Sequence, residues 1–568
     1  MSESEINGIH LSETQRRAAI DLKCQIAATG SAFIQELNSP WTQTNNSTNQ
    51  SQAFVTNRQA LASLPREYTQ YLQRGRGDNV IVDSNPNLAD GILKYVEDPT
   101  LRKTVYFNSR HGVSKELLFN LEKMVGTRDQ LAKVLGYNTY SEYTLSSKLI
   151  ETPEKAMTFL KVTMIIFINN ISSIPKILII ILYNPIQQLS NETRDLSDSE
   201  LNMLYSFKCK TELTGDPVFQ WDYEYYSNLI RNKSVQDLNA PTSAELSEYF
   251  SLENVLEGMS RVVHQLFGLK LKQIEMRPGE SWNKDVIKLA LLSRDEGIIG
   301  YIYMDLWQRP NKASLGVNYV MELGYRKRNF NLVTGDVPMM EDYNVPKVAL
   351  VCSFGSKNQT NQFRSLLHHC DLEVMFHEFG HSLHTVLSRG DFQHLCGTRG
   401  PVDFVEIPST LMEHFTWDHK ILRQFANHYS SGRTLSSEMI NAYKETKDIF
   451  KGIETQKLIS LAMFDLILHG KHPNIKTPSE IMSILQQKNL KIAGDVGDSF
   501  LSGFSHLYFY GSSYYCYLLS KYNSEKIWKN FFGNGHKVNR EKGEQYRRKF
   551  LQKGSSQTPQ SILNHFTA

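Results

Sequence analysis

Apolar residues recur at helical spacing over most of the chain. The pattern predicts long helices over about 12–38, 115–136, 245–266, 409–430, 435–466 and 512–532. Between 285 and 323 the texture changes. Val286-Ile287-Lys288-Leu289-Ala290 and Gly300-Tyr301-Ile302-Tyr303-Met304, separated by a polar turn around Asp295-Glu296-Gly297, predict paired strands. Val348-Ala349-Leu350-Val351-Cys352-Ser353-Phe354 predicts another strand, and an edge strand there can hold an extended peptide through main-chain hydrogen bonds. A further helix is expected over 372–389. Asp371 or Glu373 sits near its start, Leu372, Val374, Met375, Phe376, Leu383, Val386 and Leu387 supply apolar surface, and Gly390 ends it. The expected fold class is mainly α, with a small β-sheet over 285–354 next to this helix.

Two segments break the pattern. Asn38 to Gln52 is a polar loop rich in Ser, Thr and Asn. Thr163 to Tyr183 is rich in Ile and long enough to raise a membrane helix, but Asn169, Asn170, Ser172, Ser173, Pro175 and Lys176 interrupt it. No stable membrane insertion is expected.

Length and composition narrow the picture. A chain of 568 residues can bury one or more large cores. Its net charge of +3 carries no nucleic-acid signal. The six cysteines are scattered without a C-x-x-C, which fits a reducing compartment and argues against a disulfide scaffold or a structural zinc site.

The candidate chemistry lies in Phe376-His377-Glu378-Phe379-Gly380-His381. His377 and His381 are four residues apart, so on a helix both imidazoles leave one face and can grip one Zn²⁺. Glu378 projects beside that position and can take a proton from water. Catalytic zinc usually has three protein ligands, and Glu406 is the best third candidate. It lies just before Pro408, which favours a first helical turn, so a helix from Ser409 could bring it to the histidines. A bare H-E-x-x-H also arises by chance, as a helix with one buried His and one solvated Glu. The extended three-histidine signature is absent, because it needs Gly at 384 and His at 387, where this chain has His384 and Leu387. His384 reads as a packed or supporting histidine.

F-H-E-F-G-H-x-x-H over Phe376–His384, followed by D-F-V-E-x-P-S-x-x-x-E over Asp403–Glu413, closely resembles the thimet oligopeptidase family of zinc peptidases. The resemblance implies one zinc per chain held by His377, His381 and Glu406, with Glu378 as general base. Asp403 and Glu413 match as supporting residues; a helix cap and an ion-paired helix residue account for them equally well. Trp221-Asp222-Tyr223-Glu224-Tyr225-Tyr226 resembles the family's W-D-x-x-Y-Y, and Gly300–Leu306 with Arg309 and Lys312 its strand-and-turn segment. Phe250–Gly258 and Cys396-Gly397-Thr398-Arg399 look most like the branch that processes mitochondrial precursors. Near the C-terminus, His506-Leu507-Tyr508-Phe509-Tyr510-Gly511-Ser512-Ser513-Tyr514-Tyr515-Cys516-Tyr517 resembles that branch's tyrosine run. Tyr510 and Tyr517 would then donate hydrogen bonds to an oxyanion and His506 would contact substrate. Without the resemblance the run reads as a buried aromatic helix face. Phe509 stands where a small glycine is usual.

By resemblance the architecture is two largely helical halves around a deep substrate channel, with 1–240 forming part of one wall and 241–568 the catalytic region. The implied activity is removal of an N-terminal octapeptide from imported mitochondrial precursors after a first cleavage. The implied setting is the matrix, the partners are extended peptides or precursor N-termini, and the state is a monomer. A cytosolic oligopeptidase acting on free peptides and an inactive peptide-binding homologue are the alternatives. The chain opens Met1-Ser2-Glu3-Ser4-Glu5 with no Arg-rich presequence. Gly8 to Arg17 resembles a point well inside the family's N-terminal half, so the first helices of the wall are expected to lie outside this chain.

Overall fold

The computed structural model describes residues 6–567 apart from 39–53, 83–84, 111–113, 167–185, 311, 313–315, 327–342, 356, 359, 474–475, 494–499, 502–503 and 534–538. Most of the polar loop and of the Ile-rich run therefore lie outside the described residues. Among the described residues no helix is long and apolar enough to cross a membrane. The fold is mainly α with two small sheets. The chain forms two compact units. Met1–Asp237 with Thr446–Leu518 makes one, and Leu238–Glu445 with Leu519–Ala568 the other.

In the first unit the helix Glu13–Asn38 packs along Lys115–Val134. A three-stranded antiparallel sheet that the apolar pattern did not reveal is built from β1 (Phe54–Asn57), β2 (Gln73–Arg74) and β3 (Asn79–Val82), in the order β1-β3-β2. Its strands are too short for alternation to stand out. Its core gathers Val82, Leu88, Ile92, Val96 and Trp221. Asp222, of the Trp221–Tyr226 stretch, is fully buried and accepts from Arg102 Nη2 (2.8 Å) and Lys208 Nζ (2.5 Å). Those partners sit on the helices Pro99–Arg110 and Ile186–Glu212. Removing either cation would leave a buried charge short of compensation.

The second unit holds a five-stranded sheet of β4 (Lys270–Gln273), β5 (Ile287–Ser293), β6 (Gly297–Trp307), β7 (Val317–Glu322) and β8 (Lys347–Phe354), in the order β4-β5-β6-β8-β7. The β5–β6 hairpin matches the expected pair of strands. The expected edge strand does not lie at the edge. β8 runs parallel to β6 and is covered on its other side by antiparallel β7, so among the described residues β7 lies at that edge and β4 at the other. The near-continuous apolar run of β8 is the signature of such an interior strand.

Four of the expected helices are cut or moved. The segment 245–266 is two helices, Ser243–Ser247 and Leu252–Phe267, because Thr242 and Ser251 each cap a new start. The segment 435–466 divides at Phe450, whose φ of +66° no helix continues through. The helix placed at 512–532 begins only at Cys516 and closes with a π turn, Trp528–Phe532. The helix placed at 409–430 starts earlier, at Val402, and ends at Glu413. A 3₁₀ turn, His414–Thr416, follows, and Asp418 then caps the short helix His419–Leu422. Pro408 is therefore inside this helix rather than in its first turn.

Candidate metal centre

The helix His369–Leu387, called here the histidine helix, packs against β6, β7 and β8. Asp371 accepts the His368 N–H (3.2 Å) at its start. Two glycines set its distance from its neighbours. A Cβ on Gly300 would lie 2.6 Å from Val386 Cβ, which brings β6 close. A Cβ on Gly380 would lie 2.5 Å from Ser409 Cα and 2.6 Å from the Pro408 carbonyl oxygen. Glycine at 380 thus lets the helix Val402–Glu413, the glutamate helix, lie directly on the histidine helix.

This contact brings Glu406 to the histidines. Its Oε2 is 3.4 Å from His377 Nε2 and 3.2 Å from His381 Nε2, and the two imidazoles cross at 81°. One ligand atom from each of the three residues lies within 4.8 Å of the others. Ser409 Oγ donates to Glu406 Oε2 (3.2 Å), and Glu413 Oε1 is 2.6 Å from His377 Nδ1. With Nδ1–H donating to Glu413, His377 Nε2 is free to face Glu406, the usual way a carboxylate orients a metal-binding imidazole.

The electrostatics suit a cation. Burial opposes charge on His377, but hydrogen bonds to Glu406 and Glu413 more than offset it and hold its pKa up at about 10. Burial likewise opposes charge on Glu406, yet the two imidazoles hold its carboxyl far below the usual range. The raised pKa of His377 favours a proton in this trio. A divalent ion bound by Nε2, Nε2 and Oε2 can replace that proton and satisfy all three groups. Glu378 is buried and its Oε2 has no hydrogen-bond partner. Burial raises its pKa, against the pull of His381 and His377. An unpartnered carboxylate with a raised pKa beside the cluster is poised to exchange a proton.

The tyrosine run lies in the other compact unit and is described on its own. His506 is in a short helix, His506–Phe509, and its ring lies 5.8, 5.1 and 5.7 Å from those of Tyr510, Tyr514 and Tyr517. Tyr510 and Tyr517 are 6.2 Å apart, and all four side chains are half-buried. In place of the buried aromatic helix face that the residues alone suggested, Tyr510 and Tyr514 lie on an irregular turn and Tyr517 on the helix that follows, Cys516–Ile527. Phe509 is 64% exposed and packs on Tyr508.

A family model described as peptidase family M3 matches residues 92–174 and 181–568. The chain belongs to this family. Peptidases of family M3 are metallopeptidases, which accords with the cluster of His377, His381 and Glu406. Among its relatives, the mitochondrial intermediate peptidases of mouse and human are each 30% identical over 99% of this chain. The Arabidopsis thaliana protein of that name is 30% identical over 85%. The chain spans 62% of the Arabidopsis relative and 70% and 69% of the mouse and human ones.

In this M3 chain Asp403 is fully buried in the first turn of the glutamate helix, while Glu413 reaches His377 from its last turn. His384 is packed between Phe404 and Phe550, with both ring nitrogens lacking partners. Burial and the neighbouring His381 press its pKa down to about 3. Three residues went unnoticed in the sequence. Ser409 steadies Glu406, and Ser382 Oγ donates to the Glu378 carbonyl (3.0 Å). Asn318 Nδ2, on β7, donates to Ser382 Oγ (2.6 Å). The two serines have a readable signal, helical spacing from Glu406 and Glu378. Asn318 has none, because it arrives from a separate strand.

Proposed function

We propose that this M3 chain is a zinc endopeptidase that removes an N-terminal octapeptide from imported precursor proteins after a first processing cleavage. The observation that carries the reading is the convergence of His377, His381 and Glu406 beside the unpartnered Glu378. Similarity along nearly the whole chain to proteins named mitochondrial intermediate peptidase supplies the substrate class. The relatives' names support a mitochondrial setting, and within it our reading is that this chain works in the matrix.

His377, His381 and Glu406 would hold one zinc ion, a donor set of imidazoles and carboxylate that suits this metal and leaves room for water. When bound, the ion would polarise the scissile carbonyl and strengthen water as a nucleophile. Glu378 takes the proton of the attacking water and passes it to the leaving amine. Glu413 keeps His377 in the tautomer that presents Nε2, and Asp403 supports the start of the same helix. The side of β7 away from β8, unpaired among the described residues, offers main-chain groups to an extended peptide beside the histidine helix. Tyr510 and Tyr517 donate to the developing oxyanion and His506 contacts the peptide. The region 241–568 carries the metal chemistry, 1–240 guides substrate, and the chain acts as a monomer.

The test is metal analysis of the full chain together with mass spectrometry of products from presequence-derived peptides, with and without chelator. Chelator-sensitive release of eight-residue N-terminal fragments is expected. Cleavage of short free peptides alone would favour a general oligopeptidase. A zinc-loaded chain that cleaves nothing would overturn the proposal.

A further inference from the structure

The tyrosine turn has an irregular backbone, so its polar groups need partners from elsewhere. Ser512 sits at φ +64°, in the left-handed region that is strained for a non-glycine residue. Gly511 has no room for a side chain, since a Cβ there would lie 2.5 Å from Arg128 Nη1 and 3.2 Å from His469 Nε2. Three buried residues hold this backbone. Arg128 donates to the carbonyls of Leu507 (2.6 Å) and Tyr508 (2.8 Å). Asp465 accepts the N–H groups of Ser512 (2.8 Å) and Tyr514 (3.0 Å). His469 links them, with Nε2 2.8 Å from Arg128 Nη1 and Nδ1 2.9 Å from Asp465 Oδ1. Arg128 can only donate, so His469 Nε2 accepts, and its Nδ1–H donates to the Asp465 backbone carbonyl (3.0 Å) with the Asp465 carboxylate alongside. The exposures of Arg128, Asp465 and His469 are 2%, 1% and 1%. Outside the turn, Ser512 Oγ also donates to Ser141 Oγ (2.6 Å).

We propose that Arg128, His469 and Asp465 form a buried clamp that sets the position of the tyrosine turn, and are positioning residues for peptide cleavage. The clamp serves the reading above in which Tyr510 and Tyr517 reach the oxyanion. Cations and carboxylates are costly to bury, and here Arg128 and Asp465 each spend two hydrogen bonds on the backbone of one turn. A donor displaced by about 1 Å can lose roughly a hundredfold in rate.

The experiment compares Asp465→Asn, Arg128→Lys and Tyr517→Phe in the full metal-loaded chain. Asp465→Asn keeps the side-chain shape but can accept from only one of the two N–H groups. It should lower kcat roughly ten- to a hundredfold with KM little changed. Combined with Tyr510→Phe and Tyr517→Phe together it should add little further loss, because the clamp acts through those two hydroxyls. Independently of activity, amide exchange over 506–515 should accelerate in Asp465→Asn while exchange elsewhere stays the same. Arg128→Lys keeps the charge and part of the bonding, and serves as the folded variant should Asp465→Asn unfold. Unchanged exchange over 506–515 would overturn the clamp, as would rate losses that multiply when Asp465→Asn is added to the variant lacking both tyrosine hydroxyls. Unaltered rates in Tyr510→Phe and Tyr517→Phe would instead overturn the tyrosine reading, so the two failures are distinguishable.

Discussion

The histidine and glutamate helices and the tyrosine turn solve the same problem, holding a few polar side chains in place, by opposite means. In the helix pair the backbone satisfies itself. His377 and His381 share a face by helical spacing alone, and one glycine, Gly380, admits the partner helix. In the turn the backbone is satisfied from outside by Arg128, His469 and Asp465, which lie far away in sequence. Regular backbone makes a site tolerant of distant change and dependent on a few side chains. Irregular backbone spreads the dependence over remote residues.

The largest expected effect is at the helix pair. His381→Ala should abolish both metal content and peptide cleavage, measured by metal analysis and product formation on one preparation; retained stoichiometric metal would remove His381 from the centre. Glu378→Gln comes next. It should keep metal while losing about 10²–10⁴-fold in turnover, and near-normal turnover would sink its role as base. On the other side of the comparison, Tyr517→Phe should lower turnover about a hundred- to a thousandfold with little change in KM.

Gly380→Ala probes the seam between the helices. The added methyl meets backbone atoms of Ser409 and Pro408, so the helices must separate. A cost of about 1–3 kcal/mol in unfolding free energy is expected, with weaker metal binding and no change in amide exchange at the tyrosine turn. A variant of unaltered stability would mean that the helices adjust freely.

A pH dependence is also expected of the helix pair. The pKa of His377 is raised to about 10 without metal, above the ordinary 6.5. The stability it contributes is therefore fully present below about 6.5 and is lost as pH rises toward 10. Metal uptake displaces this proton, so binding should tighten with rising pH over the same window. Melting temperatures of chelated and metal-loaded chain across that range check both statements. A flat difference would show that His377 carries no such proton.

The sequence by itself determined the type of most elements and the residues that meet at the candidate metal centre. Helical spacing, the carboxylate 25 residues beyond His381 and the β5–β6 hairpin are local patterns, and local patterns survive folding. Tertiary structure alone decided that, among the described residues, β7 and not β8 lies at a sheet edge, because strand order depends on a crossover between segments distant in sequence. It decided that the glutamate helix begins at Val402 with Pro408 inside, where contact with Gly380 outweighs proline's preference for a first turn. It also decided that 512–515 is a turn rather than helix, since Asp465, some fifty residues upstream, takes the N–H groups of Ser512 and Tyr514. Spacing rules read hydrogen bonds that a segment makes with itself. They are silent about those made with a side chain brought from elsewhere by the fold.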